Sequence, residues 1–295
     1  MTTATQAAPA ATLEACAAFW QGRAAGPLYS AVTEPGYRQM LDAREPNLDE
    51  VADAAAACIR ADLALHRPHV LPVVYADFGT ISTARLYGGR VIPPPEGGMI
   101  HIEPVAATPS DLAALHPAPF EDSDFQLAVD LWHRVCERCG TDEVYLRTPD
   151  FQGPLNTLAL VMDQQELLMG MYTEPDAIHQ ALDGITTTLI DYHRRLRHEL
   201  GGGKVVGSIW PYTILPEHLG ASLTQDMMPL LSPELYRDFE IPCLHRLAEA
   251  FGGLQIHCCG AYAQHLPALR ESGLNILGLE FHHPFTPFAE IHRAF

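Results

Sequence analysis

The sequence predicts an α/β fold built on a parallel sheet or barrel, and three observations predict it. Short apolar runs alternate with long amphipathic ones, the order that sets helices between parallel strands. Brief turn-forming stretches separate them, and no linker or internal repeat divides the chain. One run, Leu254-Gln255-Ile256, ends abruptly in His257-Cys258-Cys259-Gly260 before another helical start. In a β/α barrel that handover, at the C-terminal end of a strand, is where chemistry is placed.

A chain of 295 residues suffices for one large α/β domain or two ordinary ones. Its 47% hydrophobic content is that of a soluble globular protein. No stretch approaches the roughly 20 unbroken apolar residues a membrane helix needs. The Ala/Thr-rich start has no basic region and reads as a tail rather than a signal peptide, so a cytoplasmic location is expected. Acidic residues outnumber basic ones 36 to 18, for a net charge of −18. That argues against nucleic acid and anionic membranes as partners, because both are held by clustered lysine and arginine. Seven unevenly spaced cysteines point to free thiols or metal ligation rather than a disulfide framework.

Residues 11–23 read as a short helix and residues 47–66 as a clearer one. Asn47 is placed to cap the latter, Asp49 and Glu50 lie in its first turn, and Val51, Ala55, Cys58, Ile59, Leu63 and Leu65 form its apolar face. Residues 70–75 are a strand, and Phe78-Gly79 a turn. Gly88-Gly89 and Pro93-Pro94-Pro95 mark a loop or sheet edge, since proline removes backbone donors. Residues 90–92 and 99–103 are expected to pair as a small antiparallel ribbon. Residues 122–139 are amphipathic and end at Gly140, a C-cap glycine.

Residues 144–147 are a short strand. Residues 154–168 read as helix, with a break expected before Gly170. The longest helical pattern, residues 175–200, is stopped by Gly201-Gly202-Gly203. Residues 204–209 read as a strand, and 222–226 as a strand or loop. Ser232-Pro233-Glu234 opens a helix with serine as N-cap and proline in its first position, and Pro242 is expected to kink or divide it. Residues 254–257 carry the motif, 266–271 form a helix, and 275–281 the last strand. The expected organisation is an N-terminal tail and helical preface, 1–67, and one domain, 68–295.

His257 and Cys259 alternate along a strand, so their side chains share a side, as a metal requires. The other reading of this pair is a buried strand end with thiols as apolar filler. Cys136-x-x-Cys139 lies in a helical pattern with no second pair, which reads as packing, as do Cys16, Cys58 and Cys243. Glu280, His282 and His283 end the following strand and face the same mouth in a barrel. Glu280 is a candidate ligand or acid/base group, and the histidines are candidate ligands or a solvated turn. Asp226 is either a loop cap or a substrate contact. Trp210 and Tyr212 either wall a pocket for a planar ligand or belong to the core. The glycine clusters lack the spacing of dinucleotide or phosphate loops.

The run Ser232-Pro233-Glu234-Leu235-Tyr236-Arg237-Asp238-Phe239, then Pro242, then Ile256-His257-Cys258-Cys259-Gly260, resembles the uroporphyrinogen decarboxylase superfamily. Asp226, the segments 153–159 and 172–179, and Phe78-Gly79 followed by Gly88-Gly89 fit its pattern in the same order, so the likeness spans roughly residues 68 to 285. The resemblance implies a TIM-type (β/α)8 barrel and two chemistries. True decarboxylases of the family use no metal and carry an arginine-rich N-terminal pattern, Arg-Gln-Ala-Gly-Arg. Here that region holds only Tyr37-Arg38-Gln39-Met40 and Arg44. The other branch comprises zinc-dependent methyltransferases that work with corrinoid proteins and carry His-x-Cys on this strand.

His257 and Cys259 match the first two zinc ligands of that branch. The family's third, a later cysteine on an eighth strand, has no counterpart after Cys259, so the barrel is expected to lack its last strand/helix unit. Either the chain is a fragment or divergent copy of the family, or Glu280, His282 or His283 substitutes. The expected function is zinc-dependent methyl transfer between a corrinoid or methylated small molecule and a thiol-type or corrinoid acceptor. In it Asp226 and Glu280 are catalytic, His257, Cys259 and Glu280 hold the metal, and Trp210, Tyr212 and His282 contact substrate. Expected partners are a small-molecule substrate and a corrinoid protein, with a homodimer left open. One alternative is a metal-free decarboxylase of a carboxylated ring compound, which requires Arg85, Arg90 and Arg147 to converge. The other is a non-catalytic binding barrel.

Overall fold

Short apolar runs bury themselves as parallel strands when helices cover both faces. A computed structural model describes residues 9–24, 36–41, 46–65, 71–92, 101–207 and 214–295 of the chain. Strand β1 (Val73–Tyr75) is followed by an antiparallel ribbon of β2 (Arg90–Ile92) and β3 (His101–Glu103), in which Arg90 lies opposite Glu103 and forms an ion pair with it at 2.6 Å. Strand β4 (Tyr145–Arg147) pairs in parallel with β1. Strands β5 (Ala221–Thr224), β6 (Leu254–Cys258) and β7 (Ile276–Phe281) form a parallel sheet in that order. Single parallel bridges place Val205 beside Leu146 and Gln152 beside Thr224. Every residue of β1, β4, β5 and β6 is buried, as expected of parallel strands covered on both sides. The fold is mixed α/β.

Leu48–Leu65 and Asp124–Cys139 pack against each other through apolar faces, and Arg134 and Arg138 pair with Asp49 across their rims at 2.6 and 2.8 Å. Burial holds this contact, because such exposed pairs contribute about 0–1 kcal/mol each. Asn47 caps the first of these helices, its Oδ1 accepting from the Asp49 N–H at 3.2 Å. Gly140 closes the second at φ 65°, a conformation that costs glycine nothing. Pro175–Glu199 matches the expected longest helix.

Three local expectations need correction. Residues 154–168 are not one helix: Pro154–Val161 stops at Met162, and Gln164–Thr173 begins anew. Asp163 takes the cap, its carboxylate accepting from the Gln165 and Glu166 N–H groups, and that local bond sets the break. Gly170 is inside the second helix because a Cβ there would stand 2.9 Å from Pro109 and 3.2 Å from Ile178, so it marks close packing rather than a break. A final helix, Phe288–Ala294, was not expected. Of residues 204–209, Val205 and Val206 make only single bridges, and 208–209 lie outside the described residues.

Pro242 acts where expected, but by a π-turn. Pro233–Leu235 runs into a π-helical turn, Tyr236–Glu240, and then into Ile241–Phe251. Proline lacks the N–H a regular turn would use, and the Ile241 N–H reaches back to the Tyr236 carbonyl instead.

The π-turn buries Glu240 completely, its two oxygens accepting from the Leu155 N–H at 3.1 Å and from Gln225 Nε2 at 2.6 Å. Burial pushes its carboxyl up to about 7 from an ordinary 4.5, against the lowering effect of those bonds. A folded pKa above the unfolded one means the native state holds this proton more tightly. The linked stability is therefore complete below about pH 4.5 and is lost as pH rises through 7. Asp124, raised to about 6 chiefly by burial and paired with Arg85 at 3.0 Å, acts in the same sense. Urea unfolding at about pH 5 and pH 8 is expected to show wild-type stability falling, with Glu240 supplying on the order of 3 kcal/mol. Glu240→Gln is expected to give a visibly shallower fall, and a slope equal to wild type would refute the assignment.

Candidate metal centre

Parallel strands leave their C-terminal ends at one rim, and the chain sets a metal-capable or acidic residue just past or at five of them. Asp77 follows β1, Asp150 follows β4, Asp226 follows β5, Cys259 follows β6, and His282 follows β7. His257 and Glu280 stand within the last turns of β6 and β7.

The register of β6 against β7 decides which of these meet. Leu254 pairs with Ile276 but Gln255 pairs with Gly278, so one residue of β7, Leu277, is left over as a bulge. From there on Ile256 opposes Leu279 and His257 opposes Glu280. Without the bulge His257 would oppose Leu279, and Glu280 would point to the other side. Gly278 fits the bulge beside Trp20 of the helix Pro9–Trp20, where a Cβ would come within 2.9 Å of the indole.

Around that register a cluster forms. His257 Nε2 lies 3.1 Å from Cys259 Sγ, and one ligand atom each of His257, Cys259 and His282 lies within 4.8 Å of the others. His257 Nδ1, on the far side of the ring, is paired with the Glu280 carboxylate. The other Glu280 oxygen is 3.2 Å from His282 Nε2. The Cys259 N–H donates to Asp226 Oδ1 at 2.8 Å. Thr286 pins the two loops together: its hydroxyl donates to the Gly260 carbonyl and accepts from the Tyr262 N–H, both at 3.0 Å. Gly260 packs on Pro229, where a Cβ would meet the ring at 2.4 Å. His257 is 4% exposed, whereas Cys259 and His282 are open to solvent, so the cluster has a buried root and an accessible mouth.

The electrostatics of the cluster are one-sided. Burial lowers the His257 pKa, but the hydrogen bond and charge of Glu280, with Asp226 and Asp150, outweigh it and raise the ring overall. Burial, then the charges of Asp226 and Glu280, push the Cys259 thiol up to about 11. Burial likewise raises Asp150 to about 7, with Asp77 and Asp226 adding to the shift. A neutral thiol beside an imidazole and three carboxylates is a donor set suited to a divalent cation, whose charge would offset theirs and release the thiol proton.

Among the sequence-expected residues, the structure brings His257, Cys259, Glu280, His282 and Asp226 together. Glu280, expected as a ligand, faces the Nδ1 of His257, and His282, expected to contact substrate, joins the three-atom cluster. Cys258 points into the core, fully buried, its thiol pushed up to about 12 by that burial. His283 is exposed and outside the cluster. Trp210 and Tyr212 lie outside the described residues. Cys136 and Cys139 are half-buried free thiols on a helix, and Cys139 Sγ lies 3.9 Å from the Ala56 carbonyl. The three arginines go to different partners: Arg85 to Asp124, Arg90 to Glu103, and Arg147, wholly buried, over the Tyr75 ring at 5.1 Å. Asp77 and Asp150 were missed, although they lie two and three residues past the ends of β1 and β4.

A parallel-strand α/β chain with a histidine–cysteine–histidine cluster at its strand ends defines the class. The chain belongs to the uroporphyrinogen decarboxylase (URO-D) family, whose model matches residues 34–206. The matched span stops short of His257, Cys259, Glu280 and His282. Among solved structures the fold is similar to a methyltransferase from Methanosarcina mazei, with a TM-score of 0.60 at 16% identity over 92% of this chain and 75% of that one. No curated protein sequence matches the chain.

In metal-free protein at about pH 8, Cys259 is expected to alkylate with iodoacetamide more slowly than an ordinary exposed cysteine, since its thiolate fraction is small. Asp226→Asn removes one of the charges that hold the proton on and is expected to raise the rate severalfold. Mass mapping of Cys259 checks it; an unchanged rate in Asp226→Asn would show that the carboxylate does not govern the thiol.

Proposed function

We propose that the chain is a zinc-dependent methyltransferase on a TIM-type barrel, with His257, Cys259 and His282 as the protein ligands. The convergence of these three donor atoms, with a carboxylate on the far nitrogen of the buried histidine, carries the reading. A histidine whose Nδ1 is engaged by carboxylate presents Nε2 as the coordinating atom, the arrangement that recurs at zinc sites. Three protein ligands with solvent at the mouth leave a position for a reacting molecule. Likeness of fold to a methyltransferase supports the class of reaction.

Zinc bound there would lower the pKa of a thiol acceptor and make it nucleophilic at neutral pH. The protein's own residues do the positioning. Glu280 holds the His257 ring and its tautomer, Asp226 fixes the backbone of Cys259, and Thr286 ties that turn to the loop after β7. The methyl group passes to the acceptor sulfur with a new C–S bond, while the bond to its donor breaks and the electron pair stays with the donor. A corrinoid on a partner protein is the proposed methyl carrier, and methyl transfer from a methylated small molecule to that corrinoid is the same chemistry in reverse. The decarboxylase alternative calls for converging arginines, whereas Arg85 pairs with Asp124, Arg90 pairs with Glu103 and Arg147 lies over the Tyr75 ring.

Purified protein is expected to carry about one zinc per chain. His257→Ala and Cys259→Ser are expected to lose it, and Glu280→Gln to weaken it roughly 10- to 100-fold. Metal analysis and competition with a chelator measure both. Wild-type protein without stoichiometric zinc would end this reading.

A further inference from the structure

A cleft of about 250 Å3 opens beside the candidate metal centre. Asp226 is the wall they share, lining the cleft while it accepts from the Cys259 N–H. Gln152, Asn156 and Gln164 line it too, with Leu160 and Leu230 as apolar surface.

The polar wall is built rather than incidental. The Met227 N–H, which can only donate, hydrogen-bonds to Asn156 Oδ1 at 2.9 Å. That turns the Asn156 amide nitrogen to Gln152 Oε1 at 2.8 Å, which in turn directs the Gln152 amide nitrogen to the Asp150 carboxyl. Gln152 and Asn156 are 4% and 5% exposed, so each is locked by the next. The wall therefore offers oriented, uncharged dipoles to a ligand.

Among the described lining residues none is lysine or arginine, and Asp226 is the one that carries a charge. Asp150 stands directly behind Gln152. An anion in the cleft would face the Asp226 carboxylate with no cation among the described lining residues to offset it, whereas a cation would gain from the same field. The leucines suit methyl groups, and the volume lies below that of a drug-sized pocket of roughly 300–1,000 Å3.

We propose that this cleft is a substrate pocket and that it takes a small methylated cation of the quaternary-ammonium type, in preference to an anion. Its place in a methyl-transfer reaction rests on the function proposed above; its charge preference does not.

The test is calorimetric titration of the full chain, chelator-treated so that metal plays no part. The probes are (2-hydroxyethyl)trimethylammonium, its uncharged carbon isostere 3,3-dimethylbutan-1-ol, and the anion 3,3-dimethylbutanoate. The cation is expected to bind at least about tenfold more tightly than the isostere, and the anion more weakly than either. Asp226→Asn is expected to erase the difference between cation and isostere. Should that variant fail to fold, Gln164→Lys, at an exposed position on the rim, is expected to reverse the preference towards the anion. Equal binding of cation and isostere, tighter binding of the anion, no binding of any probe, or a preference that survives both variants would each overturn the proposal. Protein that prefers the cation but carries no zinc would overturn the methyl-transfer reading alone, and protein that carries zinc without this preference would overturn only the present inference.

Discussion

One extra residue in β7 sets the geometry of the candidate metal centre. Parallel strands bring equivalent side chains to the same face only when their registers match, and a one-residue slip exchanges the faces. Between Leu254 and Gln255 the pairing with β7 shifts by such a step, and it is this step that carries Glu280 to His257. The carboxylate then takes Nδ1, leaving Nε2 to Cys259. Trp20 abuts Gly278 of the bulge and donates its indole N–H to the Ile214 carbonyl at 2.8 Å, so the N-terminal helix braces the strand whose register the site needs.

A second layer of organisation lies in how buried polar groups find partners. An unpaired buried polar atom costs roughly 1–3 kcal/mol, so chains of amides are stable only when each donor meets an acceptor. From Asp150 through Gln152 and Asn156 to the Met227 N–H, each does. Glu240 does the same one layer out, joining the π-turn, the first turn of Pro154–Val161 and Gln225. Gly153 is small because the Gln225 amide occupies the space a Cβ would need, at 1.9 Å. These contacts hold the turns after β4 and β5 in register, and Asp226 is thereby set between the candidate metal centre and the cleft.

Much of this was legible in order along the chain. Asn47 and Ser232 as caps, Gly140 as a helix stop, and the ribbon of β2 with β3 follow from local hydrogen bonding and backbone freedom. A few neighbouring residues decide such features. The break at Asp163 is also local, because its carboxylate caps the next helix, whereas Gly170 answers to packing, where a Cβ would stand 2.9 Å from Pro109 and 3.2 Å from Ile178. Asp150 was overlooked because the charges that bear on it, those of Asp77, His257 and Asp226, belong to other strands and their ends.

By itself the sequence determined the alternation of strands and helices and placed His257 and Cys259 at a strand end, because periodicity and turn chemistry act over a few residues. It also determined the acidic balance that disfavours polyanionic partners. Only the tertiary structure decided the roles within the cluster. Which nitrogen of His257 faces Cys259, that Glu280 engages the other, and that His282 converges on them follow from a bulge, a strand register and a bracing helix. Those are set by contacts between residues far apart in the chain, whose relative placement no local pattern encodes.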